Sequence, residues 1–235
     1  DAVLVTAGCF EPNYIGIPGE DADGVMAGIV FLERAYRGRP VEVGKKVVVL
    51  GGGYTAMDCA STSWRLGADD IYIVYRRGRD EMVVDEEELA ETEREGMNFV
   101  YLSSPVEVLT DAKGHVRGVK FVRNRLGAPD ASGRRSPEPI EGSEYEIECQ
   151  TVLLALGQAP DTTFLAEFEQ FRVKRWRDLK MDPDTYQSSI REIFMAGAYR
   201  SGPTRSLAAG ADCRHAAQQL MRVRDRIAAR AEFTA

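Results

Sequence analysis

The chain has 235 residues, enough for one large domain or two small ones. Its 30 basic and 37 acidic side chains leave a net charge of −7, and a pI near 5.1 argues against a nucleic-acid partner held through phosphate contacts. Apolar residues make up 44%, enough for a core, and no apolar run approaches the ~18 residues of a membrane span.

The chain opens without an initiating Met inside the run Ala2-Val3-Leu4-Val5, the pattern expected of a piece cut from a longer protein. Residues 2–7, ending in Gly8, predict a strand buried on both faces. Asn13 to Gly24 is rich in Pro, Gly and acid and reads as loop. Val25, Ile29, Leu32 and Tyr36 fall at helical spacing and predict a helix over 25–36 with a stop at Gly38. Lys46 to Leu50 is the next strand, followed by the turn Gly51-Gly52-Gly53, a helix from Thr55 to Leu66 closed by Gly67, and a strand over Ile71–Tyr75. Asp85 to Glu95 reads as a charged helix whose acidic first turn suits the dipole end. The alternation marks an α/β fold.

The pattern then changes. Phe99–Leu102, Val106–Leu109 and Val116–Val122 alternate around Asp111-Ala112-Lys113-Gly114, an antiparallel hairpin signal. Arg123 to Ser143, with its Pro, Gly and charges, reads as an exposed loop. Tyr145 to Leu156 returns to strand, Ile193 to Ala196 is a last short strand, and Ser206 to about Ala229 a long helix with Leu220, Val223 and Ile227 on one face. The strands ending at Gly8 and Gly157 echo each other. They are either two crossover strands whose glycines let a dinucleotide pass close, or two unrelated buried strands stopped by turn chemistry.

The functional signal lies in Lys46-Val-Val-Val-Leu-Gly51-Gly52-Gly53-Tyr54-Thr55-Ala56. This is strand, glycine turn and helix with the G-x-G-x-x-A spacing of a dinucleotide fingerprint. Gly51 permits the tight turn, Gly53 lets a pyrophosphate reach the backbone, and Ala56 keeps the helix close to the strand. The helix start aims its N–H groups at phosphate. At the end of the next strand, where NAD-binding units place a carboxylate, stands Tyr75-Arg76-Arg77-Gly78-Arg79, with Arg77 24 residues beyond Gly53. Arg76, Arg77 and Arg79 suit a 2′-phosphate and so favour NADPH over NADH; a solvated basic turn is the plain alternative.

From here a resemblance appears. Gly51-Gly-Gly-Tyr-Thr-Ala-Met-Asp-Cys59, Arg65-Leu-Gly-Ala68, Val74-Tyr-Arg-Arg77, Glu81-Met82 and Glu95-Gly96 resemble the NADPH-binding segment of the glutamate synthase small (beta) subunit family. These are pyridine nucleotide-disulfide oxidoreductase-like flavoproteins, whose relatives include NADPH-dependent ferredoxin oxidoreductase subunits and the flavin-containing half of dihydropyrimidine dehydrogenase. The resemblance runs from Thr6-Ala-Gly8 and Ile17-Pro-Gly-Glu20 to Gly197 and Pro203. It implies a two-dinucleotide flavoprotein: a Rossmann-like NADPH domain with an antiparallel hairpin insertion over 23–165, set into a partial FAD domain formed by 1–22 and 166–235. It further implies hydride transfer from NADPH to FAD, with electrons leaving through iron–sulfur centres of a partner domain or subunit to an acceptor protein. Three departures stand out: Tyr54 where the family has Asn, Met82-Val83-Val84 for Met-Pro-Ala, and Gly197-Ala198 for a Gly-Asp whose carboxylate meets the flavin's ribityl chain. No earlier unit with its own G-x-G-x-x-G precedes residue 46, so this chain by itself is expected to hold FAD poorly.

Hydride transfer requires stacking and positioning rather than a proton relay, so no catalytic side chain is assigned. Cys9, without a resolving partner, reads as a small buried residue, and Cys59 as packing against the sheet. The four cysteines, at 9, 59, 149 and 213, form no C-x-x-C pair and favour a reduced, cytoplasmic setting. With two histidines they leave little room for a metal site. Gln158 either touches the NADPH ribose or phosphate or simply ends a strand. Arg200 to Arg205 either neutralises cofactor phosphate or forms the loop before the last helix. The resulting expectation is the NADPH-binding part of an electron-transferring flavoenzyme. The alternative is a nucleotide-binding regulatory or scaffolding module without redox turnover.

Overall fold

A computed structural model describes residues 2–130, 133–165, 169, 180–190, 192–202 and 206–233. The chain forms two compact units, one of residues 12–157 and one of 1–11 with 158–235. In chain order the strands β1 (Val3–Val5), β2 (Glu11–Pro12) and β3 (Val25–Ala27) lead to helix α1 (Gly28–Tyr36). Then follow β4 (Lys46–Leu50), α2 (Tyr54–Arg65), β5 (Asp70–Val74), α3 (Glu86–Arg94), β6 (Asn98–Val100), β7 (Ser103–Thr110), β8 (Val116–Pro129) and β9 (Arg135–Pro139). After β10 (Tyr145–Glu148), β11 (Thr151–Leu154), β12 (Gln158–Ala159) and β13 (Ile193–Met195) come the short α4 (Ala198–Ser201) and the long α5 (Ser206–Phe233).

In the 12–157 unit a five-stranded parallel sheet runs in the order β3-β11-β4-β5-β6. A second, antiparallel sheet runs β10-β8-β7, with β9 added to β8. The sequence of β4 explains the layering. Val47 and Val49 point to one face and pack with Phe31, Leu32, Met57 and Leu89 of the helices. Val48 and Leu50 point to the other and pack with Val108, Val119 and Phe121 of the antiparallel sheet. A strand apolar at every position must be covered on both faces, and here helices cover one and a second sheet the other. Asp85 caps α3 by accepting from the Glu88 N–H at 3.1 Å, and the acidic first turn of Glu86–Glu88 faces the positive end of the dipole.

Several expectations are corrected. Residues 25–27 are a strand, because Val25, Met26 and Ala27 pair in parallel with Val152, Leu153 and Leu154, and the helix begins only at Gly28. Within the stretch expected as an exposed loop, 123–129 and 135–139 are strands: β8 continues to Pro129 and β9 pairs back on it. Its prolines sit where an edge ladder tolerates a missing N–H. Phe99 lies in the parallel sheet opposite Ile73 rather than in the hairpin. Residues 145–156 are two strands, β10 in one sheet and β11 in the other. β1 is half exposed, with Val3 at 56%, since β13 is its one strand neighbour among the described residues.

In the other unit β1 and β13 pair in parallel over Val5, Ile193, Met195 and Tyr199. On α5 the inward face is Ala216 and Gln219 with half-buried Leu220 and Val223; the side chain of Ile227 lies outside the described residues. Asp212 of α5 accepts from the Gly197 N–H at 2.6 Å and from Arg200 Nε at 3.0 Å. The Arg200 guanidinium also lies 4.0 Å over the Tyr186 ring. Burial by itself would raise the Asp212 carboxyl, but hydrogen bonds from Arg200, the Gly197 N–H and Tyr186 outweigh it and hold the group below its ordinary value. A depressed carboxylate stabilises the fold above its unfolded pKa, and that stability is lost as pH falls through the lower folded value. Asp212→Asn is therefore expected to destabilise the protein by about 2 kcal/mol at pH 7. The difference from wild type should persist down to about pH 4 and disappear only below it, as pH falls through the lower folded value, in thermal melts followed by circular dichroism.

Candidate nucleotide-binding cleft

The carboxyl ends of β4, β5 and β11 open onto a cleft of about 510 Å³ within the 12–157 unit, inside the ~300–1,000 Å³ range of small-molecule sites. Its floor is the turn after β4, and each glycine there has its own reason. Gly51 has φ +149°, and a Cβ on it would stand 2.3 Å from the Ala155 carbonyl oxygen, so the turn presses against the backbone that follows β11. A Cβ on Gly52 would fall 2.4 Å from the Tyr75 ring, which fills that space and donates its hydroxyl to the Glu81 carbonyl. Gly53 differs: a Cβ there would meet only Val83, at 3.8 Å. Gly53 caps α2, and Ala56, fully buried, seats the helix on the sheet.

Because α2 starts at Tyr54, the N–H groups of Tyr54 and Thr55 have no intrahelical acceptor and lie at the positive end of the helix. The Tyr54 side chain is not part of the cleft. It is 37% exposed and donates its hydroxyl to Asp85 Oδ2 at 2.7 Å. Val83, one of the departures from the family pattern, lines the cleft.

The arginine loop divides three ways. Arg76 lines the cleft and is exposed. Arg77 lines it too, yet is 4% exposed, with Nη2 donating to Asp130 Oδ2 at 2.6 Å and Nε to the Arg135 carbonyl at 2.7 Å. Arg79 is not among the lining residues; it donates to Glu93 at 2.6 Å and Glu86 at 2.8 Å. Its guanidinium pKa is raised further, first by its hydrogen bonds to Tyr101 and Glu86.

The walls come from residues that sequence reasoning did not single out. Asn13, Tyr14 and Ile15 form one side, Ser103, Ser104 and Pro105 at the start of β7 another, and Arg134 a third. Asn13 binds the strand end opposite: its N–H donates to the Gly157 carbonyl at 3.2 Å and its Nδ2 to the Leu156 carbonyl at 3.3 Å. Gly157, at φ +85°, lines the cleft; Gln158 does not. Arg134 lies in a stretch whose Pro, Gly and charges read as loop, so no local pattern marked it. Asn13 gave no local signal.

Gly8, Gly197 and Ala198 belong to the other unit. The Gly197 N–H is taken by Asp212, Ala198 offers no side-chain acceptor, and its carbonyl accepts from the Cys9 thiol at 3.0 Å. Among the described residues of this unit no glycine turn feeds a helix in the way that Gly51–Gly53 feeds α2, so by themselves they do not fit FAD. Of the Arg200–Arg205 stretch, Arg200 pairs with Asp212, and 203–205 lie outside the described residues. The four cysteines are free thiols. Cys59, whose sulfur sits against Gly28, is pushed up to about 12 by burial and then by neighbouring Asp58, and burial pushes Cys149 to about 12 as well. Among the described residues no cluster of His, Cys, Asp or Glu is arranged to hold a metal ion, and no helix is long and apolar enough to cross a membrane.

Comparison with known proteins agrees with this geometry. Subunit beta of the NADPH-Fe(3+) oxidoreductase of Geobacter sulfurreducens is 44% identical over 179 residues, covering 75% of this chain and 27% of that protein. The small chain of the NADPH glutamate synthase of Escherichia coli K12 is 34% identical over 235 residues, covering 94% of this chain and 50% of that one. The chain thus spans about a quarter to a half of the length of these curated relatives. Among solved structures, FprA of Mycobacterium tuberculosis in complex with NADPH shares the fold, with a TM-score of 0.75 at 20% identity over 99% of this chain and 65% of its own. A family profile described as pyridine nucleotide-disulphide oxidoreductase matches residues 1–219, and the chain belongs to that family.

Proposed function

We propose that this chain is the NADPH-binding part of an oxidoreductase that passes a hydride from NADPH to FAD. Electrons would then leave to iron–sulfur centres or a partner subunit in the cytoplasm. The observation that carries the reading is the open backbone at Gly53, at the start of α2 and on a cleft whose rim carries Arg76. The relatives' names, which specify NADPH, support it. The reading takes the 12–157 unit as the part that binds NADPH, where the sequence led to an expectation of 23–165.

When bound, NADPH supplies the hydride; the chain's own residues position it. Gly53 admits the pyrophosphate to the backbone, and the Tyr54 and Thr55 N–H groups, with the dipole of α2, oppose its charge. Arg76 meets the 2′-phosphate, and Gly157 leaves the far wall open to the cofactor. Arg79 and the Tyr54 ring, each committed to acidic partners, support the site from outside. FAD is proposed for the longer parent protein, and no step is assigned to it here. The reading of a nucleotide-binding module without redox turnover draws on Ala198, which lacks a side-chain acceptor; a purified parent protein that is colourless yet binds NADPH would favour it.

In calorimetric titration NADPH is expected to bind more than tenfold tighter than NADH, about 1.4 kcal/mol, with Arg76→Ala removing most of that preference. Equal affinities in the wild type would sink the cofactor assignment. Replacing glycines separates folding from binding. Gly51→Ala meets the Ala155 carbonyl at an unfavourable φ and should cost roughly 3 kcal/mol of stability. Gly53→Ala should leave the melting temperature unchanged while abolishing NADPH binding, since its Cβ projects where the pyrophosphate lies.

A further inference from the structure

We propose that the Ser104 hydroxyl is a contact group for the cofactor's 2′-phosphate, kept as a donor toward the cleft by Asn124, which acts as a positioning residue. The inference rests on the reading that the cleft binds NADPH and adds a group that separates NADPH from NADH.

The start of β7 brings two adjacent serines to the cleft, and their hydrogen bonds set them apart. Ser103 is 0% exposed; its hydroxyl accepts from the Tyr145 hydroxyl at 2.6 Å and donates to the Tyr101 carbonyl at 3.2 Å, so its one proton is committed. Ser104 is half-buried. Its oxygen accepts from Asn124 Nδ2 at 2.8 Å, and among the described residues its hydroxyl donates to no group.

The direction of that bond is fixed from the far side. Asn124 is 3% exposed, and the same Nδ2 donates to the Arg76 carbonyl at 2.8 Å. A carbonyl only accepts, so the amide must turn its nitrogen there, and the second hydrogen of that nitrogen goes to Ser104. Turned over, the amide would set oxygen against oxygen. The orientation leaves Asn124 Oδ1 buried and without a partner among the described residues, a cost that the two donated bonds offset. The backbone of Asn124 is held too: its N–H donates to the Leu102 carbonyl at 2.7 Å, and the Leu102 N–H to the Arg77 carbonyl at 3.0 Å. One nitrogen thus ties the Arg76 backbone to the Ser104 hydroxyl, and both residues line the cleft.

That polarity selects the ligand atom. With its oxygen engaged by Asn124, Ser104 has a proton left for the cleft, and accepting from the amide strengthens it as a donor. At neutral pH a phosphate monoester offers acceptors almost alone, and a hydrogen bond to an ionised oxygen is about twice as strong as one to a neutral group. Ser104 therefore contributes more to a 2′-phosphate than to the ribose hydroxyl that stands in its place in NADH. Arg76 supplies charge at this wall and Ser104 a directed hydrogen bond.

The test is calorimetric titration of the full chain with NADPH, NADH and 2′,5′-ADP, each variant checked for folding by circular dichroism. Ser104→Ala should weaken NADPH and 2′,5′-ADP by roughly tenfold or more and leave NADH within about twofold. Ser104→Thr, which keeps the hydroxyl, should stay within about threefold of wild type for all three ligands. Asn124→Asp replaces the donor by a carboxylate that takes the Ser104 proton for itself. It should lower the preference for NADPH as far as Ser104→Ala does, with no further effect once Ser104 is alanine, a coupling that a merely structural role does not produce. Where the buried carboxylate prevents folding, Asn124→Ala, which releases the hydroxyl to rotate, should lower the preference by about threefold with the same dependence on Ser104. If Ser104→Ala leaves NADPH affinity within about twofold of wild type, the contact is refuted while the NADPH reading stands. Equal losses for NADPH and NADH would refute the 2′-phosphate as its acceptor. Additive effects of the Ser104 and Asn124 substitutions would refute the positioning role of Asn124. Failure of the wild-type chain to bind NADPH would overturn the underlying reading and the inference with it.

Discussion

Burial of Val47–Leu50 on both faces is the constraint around which the larger unit is built. All four side chains are 0–1% exposed, and each pair needs its own cover. Helices α1, α2 and α3 supply one layer, and the antiparallel strands β7, β8 and β10 the other. The excursion from 103 to 148 is therefore half of the core's cover and not an appendage. Its first residues, Ser103–Pro105, emerge beside the carboxyl edge of the parallel sheet, where the cleft opens, and its last lead into the amino end of β11. Leu102, a non-glycine residue at φ +53°, stands where the chain leaves one sheet for the other, its N–H on the Arg77 carbonyl and its carbonyl on the Asn124 N–H. The cost of that conformation, about 1–3 kcal/mol, is offset by the two layers it joins.

Electrostatics then sorts a cluster that composition treats as uniform. Arg76, Arg77 and Arg79 stand within four positions of each other in a chain of net charge −7, and acidic side chains converge on them. Arg79 meets Glu86 and Glu93 at the surface, where ion pairs contribute little to stability. Arg77 and Asp130 meet where the guanidinium is removed from water, so leaving either partner alone is costly. Arg76 keeps its exposure on the cleft. Identical side chains thus divide into an outer brace, a buried joint and an exposed charge on the cleft.

The smaller unit solves a different problem. Its turn at Gly197 is held by a carboxylate from α5, and Arg200 is clamped between that carboxylate and the Tyr186 ring. In this unit the Cys9 thiol donates to the Ala198 carbonyl. Burial keeps Cys59 and Cys149 protonated at physiological pH, which makes them packing groups.

The sequence by itself determined the β4–turn–α2 unit, the arginine-rich end of β5, the capped α3 and the α/β character, because each is a local pattern: continuous apolar runs, glycine at a turn, acid at a helix start. It also identified Gly51 and Gly53, though not that Gly51 answers to the Ala155 carbonyl while Gly53 stays open. What only the tertiary structure decided depends on partners distant in the chain. Val25–Ala27 is a strand because Val152–Leu154 lies beside it, overriding a helical spacing that continues smoothly into α1. Residues 123–129 and 135–139 are strands because β8 and β9 pair with each other, although their prolines and glycines read as loop. Arg77 is a buried joint because Asp130, 53 positions away, meets it, and Asn13 reaches Leu156 across 143. Local propensity follows from neighbouring residues, whereas the identity of a charge's partner follows only from how the layers fold back on one another.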